Sequence, residues 1–88
     1  MGVKFNFKDH ELHVDQYIRS IRLYVDGKQT DMVSGFRAAH LSDAVLGATL
    51  HNGDGSSDRI TITFKRKLLS NEVTLFANDE EVQTKHLF

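Results

Sequence analysis

The amino-acid sequence predicts a mainly β fold, either a small antiparallel β-sandwich or a partly open barrel of seven or eight strands. Three features of the sequence support this prediction. Polar and apolar residues alternate through most of the chain, two-residue turn signals separate the alternating runs, and the turns recur about every 8–12 residues. One short helix is expected within residues 34–46. An α+β fold is the alternative, and a wholly β chain also stays open. The 88 residues are enough for one domain, 1–88.

The first alternating run lies at the start of the chain. Every second residue of 3–7 is apolar and the residues between are polar, which is the pattern of a half-buried strand. Asp9-His10 is predicted to form a turn. Leu12 and Val14 then continue the alternation in a second strand.

Asp26-Gly27 is the clearest hairpin signal in the chain. This dipeptide lies between two strand-like runs, and both of its residues accept the positive φ that a two-residue hairpin turn requires. With regular pairing, the turn puts Ile21 opposite Met32 and Arg22 opposite Asp31. The second of these pairs joins opposite charges and favours the register.

Asn78-Asp79 predicts a second hairpin of the same kind. Regular pairing puts Leu75 opposite Val82 and Glu72 opposite Lys85, again a pair of opposite charges. The two hairpins resemble each other, as the halves of an internal duplication would. Short hairpins also resemble each other by chance, so the sequence leaves both explanations open.

The middle of the chain gives mixed signals. Residues 32–40 have apolar side chains at helical spacing, and Ser42 is a suitable cap for a short helix over Asp43 to Leu46. The segment from Asn52 to Asp58 is predicted to be an exposed loop. Alternating β-branched residues then predict a three-stranded meander from Arg59 to Lys85.

Composition narrows the class of protein. The chain lacks cysteine, which excludes disulfides, thiolate nucleophiles and cysteine-ligated zinc. Its net charge is −1, whereas nucleic-acid-binding domains are usually strongly basic. No apolar run reaches the roughly 20 residues that cross a membrane, and the alternating N-terminus lacks the apolar block of a signal peptide. We therefore expect a cytoplasmic protein that does not interact with membranes.

The histidine motif His10-Glu11-Leu12-His13 does not predict a metal site. A zinc protease needs two histidines four residues apart on a helix, so that both lie on one face. Here the spacing is i, i+3, and the surrounding pattern is that of a turn and a strand. The two imidazoles then point to opposite faces.

The other polar motifs do not predict an enzyme. Asp54, Ser56 and Asp58 alternate oxygens as a calcium loop does, but Lys65 occupies the position of the bidentate glutamate. No nucleophilic triad and no phosphate-binding glycine pattern is recognisable. We predict no catalytic residues, no metal and no cofactor.

The remaining signals favour an interaction module. Tyr24 and Phe76 are aromatic residues on strand faces that are otherwise polar, and exposed aromatic residues mark protein interfaces. We expect a protein partner or a homodimer, bound through these residues and the sheet edges. The alternative is a nucleic-acid-binding domain that uses a basic sheet face, with the candidate residues Lys4, Arg22, Lys65 and Lys67.

Overall fold

The computed structural model of the chain describes residues 2–18, 20–34, 43–66 and 70–87. These residues contain eight strands and no helix. The strands are β1 (Gly2–Phe7), β2 (His10–Gln16), β3 (Ser20–Val25), β4 (Lys28–Ser34), β5 (Asp43–His51), β6 (Ser57–Arg66), β7 (Asn71–Ala77) and β8 (Glu80–Leu87). The mainly β prediction is confirmed.

The strands form two antiparallel meanders. The first sheet has the order β1-β2-β3-β4 and the second sheet the order β5-β6-β7-β8. In the part of the chain that the structure describes, the two sheets are not closed into one continuous ladder. The meander that the sequence predicts for Arg59 to Lys85 is confirmed as β6, β7 and β8.

The core is one cluster of apolar side chains from both sheets. Alternate residues of the central strands enter it, because successive side chains of a strand point to opposite faces. Each fully buried large side chain contributes about 1.5–3 kcal/mol. The members of the core cluster are Phe5, Leu12, Val14, Ile21, Leu23, Ala44, Leu46, Leu50, Ile60, Ile62, Phe64, Val73, Leu75 and Ala77.

The helix expected over Asp43 to Leu46 is wrong, because these residues begin β5. They belong to a ladder that runs from Asp43 opposite Lys65 to His51 opposite Ser57. This continuous pairing outweighs a local capping signal. Ser34 ends β4, and residues 35–42, the rest of the segment in which a helix is predicted, lie outside the described residues.

Both predicted hairpin turns are confirmed. Asp26 and Gly27 have φ values of 50° and 84°, and Asn78 and Asp79 have 52° and 69°. These left-handed conformations match the right-handed twist of the flanking strands. The first turn of the chain lies one residue earlier than predicted, because Phe7 pairs with His10.

The register that the sequence predicts for the first hairpin is wrong. Tyr24 pairs with Gln29, but Leu23 pairs with Asp31, so that a β-bulge leaves Thr30 as an extra residue. Arg22 consequently pairs with Met32 and not with Asp31.

The second hairpin contains a bulge at the equivalent place. Phe76 pairs with Glu81 and Leu75 with Gln83, which leaves Val82 as the extra residue. The predicted pairs of Leu75 with Val82 and of Glu72 with Lys85 are therefore wrong. Each hairpin shifts by one residue at the third position after its turn.

The two turns are also anchored in the same way. Asp26 donates its backbone N–H to the carbonyl of Glu11 (2.8 Å) and accepts the Glu11 N–H on its carboxylate (2.9 Å). Asn78 donates to the carbonyl of Arg59 (2.8 Å) and accepts the Arg59 N–H on its side-chain oxygen (3.0 Å). The two halves of the chain thus repeat the same turn, bulge and anchor.

Two side chains bridge the neighbouring edges of the sheets. The carboxylate of Asp31 in β4 accepts the backbone N–H of Gly47 in β5 at 2.8 Å. The ammonium of Lys85 in β8 donates to the backbone carbonyl of Lys4 in β1 and lies 5.4 Å from the centroid of the Phe5 ring. The bulges make both contacts possible, because they turn Asp31 and Lys85 towards the core side of their strands.

Asp58 corrects the prediction of an exposed loop from Asn52 to Asp58. It lies in β6 and is only 7% exposed. Its carboxylate accepts hydrogen bonds from Lys8 Nζ at 2.7 Å, Asn52 Nδ2 at 2.9 Å and Asn78 Nδ2 at 2.9 Å. These donors come from three different connections between strands.

In the described ranges, no helix has the length and apolar character needed to span a lipid bilayer.

Candidate interaction surface

The outer face of the first sheet carries two rows of side chains, which we call the Tyr24 face. Cross-strand pairing defines the rows, because directly opposed residues lie side by side on the same face of a sheet. The first row is Lys4, His13, Tyr24 and Gln29, and the second is Gly2, Asp15, Arg22 and Met32. Tyr17 and Ile18 follow β2 and adjoin the second row.

An aromatic and cationic cluster occupies the centre of the Tyr24 face. The guanidinium of Arg22 lies 4.5 Å from the centroid of the Tyr17 ring. The hydroxyl oxygens of Tyr17 and Tyr24 are 3.4 Å apart, and the ring of His13 lies 6.0 Å from that of Tyr24. The side chain of Tyr17 therefore reaches over Arg22 towards Tyr24.

The two tyrosine hydroxyls have different acidities. The hydrogen bond shared with Tyr24, followed by one with Asp15, raises the pKa of Tyr17 to about 12. The same bond, followed by a hydrogen bond from Arg22, lowers the pKa of Tyr24 below its ordinary value of 10.0. The two hydroxyls therefore interact with each other and with the charged side chains of Asp15 and Arg22.

Apolar side chains project next to this cluster. Ile18 is 90% exposed, and Tyr17 and Met32 are each 42% exposed. Met32 faces outwards because of the bulge at Thr30, whereas regular pairing would have placed it on the core side. Exposed apolar groups beside tyrosine and arginine are typical of interface centres.

The charges of the Tyr24 face are balanced. Lys4 lies 3.9 Å from the carboxylate of Glu11, which adjoins the first row on the same side of β2. Arg22 lies opposite Asp15 in the ladder between β2 and β3. Two basic and two acidic side chains thus alternate across three strands. A face of this kind does not favour partners of one charge sign.

Phe76 lies on the outer face of the second sheet, apart from Tyr24. It is half-buried and lines a depression of about 270 Å³ together with Thr61, Thr63 and Asp79. The predicted partner-binding residues Tyr24 and Phe76 are therefore not brought together on one surface.

The structure also divides the candidate residues for nucleic-acid binding. Lys4 and Arg22 lie on the Tyr24 face, but Lys65 is exposed on the second sheet and pairs with Glu72. Lys67 lies outside the described residues. No single basic patch is formed by the three of these residues that the structure describes.

A polar cleft of about 550 Å³ lies between the β1–β2 turn and the β5–β6 loop, lined by Lys8, Asp9, His10, His51, Asn52, Gly53 and Asp54. The imidazole of His10 in this cleft contacts the Asp26 carboxylate at 2.8 Å. This hydrogen bond raises the pKa of His10. Asp54 accepts hydrogen bonds from the backbone and hydroxyl of Ser56. Within the described ranges, no three His, Cys, Asp or Glu side chains converge as a metal site requires.

Sequence reasoning did not assign His13 and Asp15 to this surface, and it missed the exposed side chains of Tyr17, Ile18 and Met32. Tyr17 and Ile18 follow the second strand, and an apolar pair beside a turn is the signal that points to them. The position of Met32 depends on the bulge, for which the sequence gives no clear signal.

Comparison with models of protein families, with curated proteins and with solved structures finds no match for this chain.

Proposed function

We propose that this chain is a small, non-enzymatic, cytoplasmic interaction module that binds a protein partner or itself through the Tyr24 face and the adjoining sheet edge. The observation that carries the proposal is the cluster of Tyr17, Arg22 and Tyr24 beside the exposed side chains of Ile18 and Met32. Tyrosine and arginine are the residue types that most often dominate binding energy at interfaces.

Contacts within the chain hold the side chains of the cluster. Arg22 stacks on Tyr17 and donates to the hydroxyl of Ser20 at 3.3 Å, while Tyr24 contacts both Tyr17 and His13. Ordering a mobile side chain at an interface costs about 0.5–1.5 kcal/mol. A partner that docks on this face meets side chains for which much of that cost does not arise.

Photocrosslinking in cells tests the proposal. A benzophenone amino acid replaces Ile18 in one variant and Val45 in a matched control. Both positions are aliphatic and exposed, by 90% and 61%, but Val45 belongs to the second sheet. We expect a discrete protein adduct from position 18 and none from position 45. Equal adducts from both positions, or no adduct from position 18, would contradict the proposal.

Nucleic acid is the second candidate, because the structure gathers more rings than the sequence suggested. His13, Tyr17, Tyr24 and the guanidinium of Arg22 form a group of planar side chains near Lys4 on which bases can stack. The acidic residues Glu11 and Asp15 on the same face weigh against it.

Titration with a labelled single-stranded oligonucleotide decides between the candidates. Backbone recognition by Lys4 and Arg22 predicts an affinity that falls steeply between about 50 and 200 mM salt. The absence of binding at the lower salt concentration would remove this alternative.

A further inference from the structure

We propose that the depression beside Phe76 binds a small guanidinium compound, a free organic cation whose flat head group lies on the Phe76 ring and donates to the Glu81 carboxylate. The site lies on the second sheet, so it is separate from the Tyr24 face and goes beyond the proposed function. Equivalent positions in the two sheets point to it, because the second sheet lacks a cation that the first sheet supplies to itself.

Phe76 and Tyr24 occupy equivalent positions in the two halves of the chain. Each lies two residues before a hairpin turn and forms the last regular pair before the bulge of its hairpin. In the preceding strand, Tyr24 pairs with His13 and Phe76 with Thr61. The first row of the Tyr24 face therefore has a counterpart on the outer face of the second sheet, which is Gly47, Thr61, Phe76 and Glu81.

Small residues surround Phe76 and account for the depression. At three positions the second sheet has a shorter side chain than the first: Gly47 is equivalent to Lys4, Thr61 to His13 and Thr63 to Asp15. The volume left beside the ring is about 270 Å³. Pockets for drug-sized ligands measure about 300–1,000 Å³, so the depression fits a smaller compound with one head group and a short chain.

In the first sheet, the chain supplies its own guanidinium to the aromatic cluster. Arg22 lies 4.5 Å from the centroid of the Tyr17 ring, and the Tyr17 hydroxyl lies 3.4 Å from that of Tyr24. The position equivalent to Arg22 is Thr74, which is uncharged and whose hydroxyl contacts that of Thr84 at 3.0 Å. The second sheet thus has the ring without the guanidinium.

Phe76 also differs from two other phenylalanines of the chain. Lys8 Nζ lies 5.6 Å from the centroid of the Phe7 ring, and Lys85 Nζ lies 5.4 Å from that of Phe5. Among the described residues, no cationic group lies over the ring of Phe76. A cation within about 6 Å of a ring centroid is attracted to the ring, so Phe76 offers this interaction to a ligand.

The charge available beside the ring is negative. Glu81 lies directly opposite Phe76 in the ladder, and directly opposed side chains lie side by side, about 5 Å apart. Glu81 is exposed and forms no ion pair with any of the described residues. Asp79 at the rim is already paired with Arg59, so Glu81 is the carboxylate that a cationic ligand can use.

A guanidinium group fits this pair of neighbours better than an ammonium group does. It is planar and weakly hydrated, so it stacks on a ring, and its N–H groups donate in pairs to a carboxylate. The hydroxyls of Thr61 and Thr63, which line the depression, can accept the remaining N–H groups. Both main contacts are exposed to solvent and therefore weak, and we expect a dissociation constant of about 1 mM.

Titration with butylguanidinium chloride tests the site, followed by the amide chemical shifts of the full chain in NMR spectra at constant ionic strength. We expect the amides of Thr61, Phe76 and Glu81 to shift with a common dissociation constant of about 1 mM. Butylurea is the matched probe, because its head group has a similar planar shape and no charge, and it should bind at least about tenfold more weakly. The absence of saturable shifts up to about 20 mM, or equal binding of the two probes, would overturn the inference.

Two substitutions separate the ring from the carboxylate. Phe76→Leu keeps an apolar side chain without an aromatic face and should weaken binding about three- to fivefold. Glu81→Gln removes the charge and should weaken binding about two- to fivefold. Glu80→Gln is the control, because it makes the same change of charge at the next residue, whose side chain points to the opposite face of the strand.

The Glu80→Gln variant should bind like the wild type, and equal losses in the two glutamate variants would overturn the inference. Glu80 and Glu81 are both exposed, so this comparison stands even if Phe76→Leu does not fold.

An arginine side chain in a peptide has the same head group as a free guanidinium compound, and a blocked Gly-Arg-Gly tripeptide distinguishes the two sources. Butylguanidinium that binds at least as tightly as the tripeptide supports a free ligand, whereas shifts around Phe76 with the tripeptide alone overturn it. The crosslink from position 18 tests the Tyr24 face independently of either result.

Discussion

Asp58 shows how one carboxylate can hold several connections of a small β protein together. Its donors belong to the β1–β2 turn, the β5–β6 loop and the β7–β8 turn, and therefore to both sheets. The hydrogen bond from Lys8, followed by those from Asn52 and Asn78, lowers its pKa to about 2 from the ordinary 3.8. The ionised form of Asp58 is thus the form that the folded chain prefers.

We expect Asp58→Asn to lower the melting temperature at pH 7 by roughly 5–10 °C, because a charged hydrogen-bond acceptor is lost. A depressed carboxyl pKa contributes stability above the unfolded value, and this contribution is lost as the pH falls through the folded value. The difference between wild type and variant should therefore shrink from about pH 4 to about pH 2. Thermal unfolding followed by circular dichroism measures it.

Asp9→Asn is the matched control, because Asp9 is exposed in the turn next to Lys8. Its melting temperature should stay close to that of the wild type. A variant of Asp58 that melts like the wild type at pH 7 would show that the three hydrogen bonds do not stabilise the fold.

The hydrogen bond of His10 predicts that its contribution to stability depends on pH with the opposite sign to that of Asp58. Its hydrogen bond to Asp26 raises its pKa above 6.5, so its contribution to stability is complete below pH 6.5 and is lost as the pH rises through the raised value. As the pH rises above 6.5, we expect the urea midpoint of unfolding to fall in the wild type and to fall less in His10→Gln. His86→Gln, at an exposed position of β8, should retain the wild-type slope.

At the scale of the element, the Asn78-Asp79 turn separates backbone strain from side-chain bonding. Both residues have positive φ, a conformation that glycine adopts at little cost. Asn78 anchors Arg59 and Asp58, whereas Asp79 makes an exposed ion pair with Arg59, which is worth little. Glycine at the two positions should therefore have opposite effects.

We expect Asn78→Gly to destabilise the protein by about 1–2 kcal/mol through the loss of two hydrogen bonds. Asp79→Gly should stabilise it by about 0.5–1 kcal/mol, because the strain of a left-handed aspartate is relieved. Equilibrium unfolding in urea measures both changes. Equal effects of the two substitutions would mean that the side chain of Asn78 does not anchor the turn.

The same hairpins show what the sequence can and cannot predict. The turns at Asp26-Gly27 and Asn78-Asp79 are predictable because positive φ restricts the residue types. The bulges at Thr30 and Val82 are not, because each depends on which side chains fit the core and the neighbouring sheet after the strand shifts by one residue. Local signals therefore predict the strands, but they misplace every cross-strand partner beyond the first two pairs next to each turn.

The helix prediction over Asp43 to Leu46 fails for a related reason. A capping serine and helical spacing are local features, whereas β5 pairs with β6 along its whole length. Pairing partners that are distant in sequence are invisible to a local pattern. Tertiary context decided this element.

At the scale of the molecule, the candidate surface could be predicted only in part. Tyr24 and Arg22 are identifiable from alternation, because a strand exposes every second residue. Tyr17 joins them by folding back over the sheet, and Phe76 is separated from them because β3 and β7 belong to different sheets. Which residues share a face thus depends on the assembly of strands into sheets.

The two sheets are joined through the core and through single side chains at their edges. The hydrogen exchange of an edge amide can therefore report on one side chain of the other sheet. The N–H of Gly47 points away from β6 towards β4 and is accepted by the carboxylate of Asp31 at 2.8 Å. An edge amide without a partner exchanges its hydrogen through contact with solvent, whereas a bonded one is protected. The protection of Gly47 should therefore depend on one side chain of the other sheet.

We expect Asp31→Ala to raise the hydrogen-exchange rate of the Gly47 amide about tenfold, the factor that corresponds to about 1.4 kcal/mol of lost hydrogen bonding. Amide-resolved exchange by NMR measures this rate. Amides within the β6–β7 ladder should keep their wild-type rates, because their partners are backbone carbonyls. Asp31→Asn retains a side-chain oxygen that can accept the bond, so it should preserve part of the protection. If Gly47 exchanges equally fast in the wild type and the alanine variant, Asp31 does not bridge the sheets in solution, and the sheet edges at β4 and β5 are held together by the core alone.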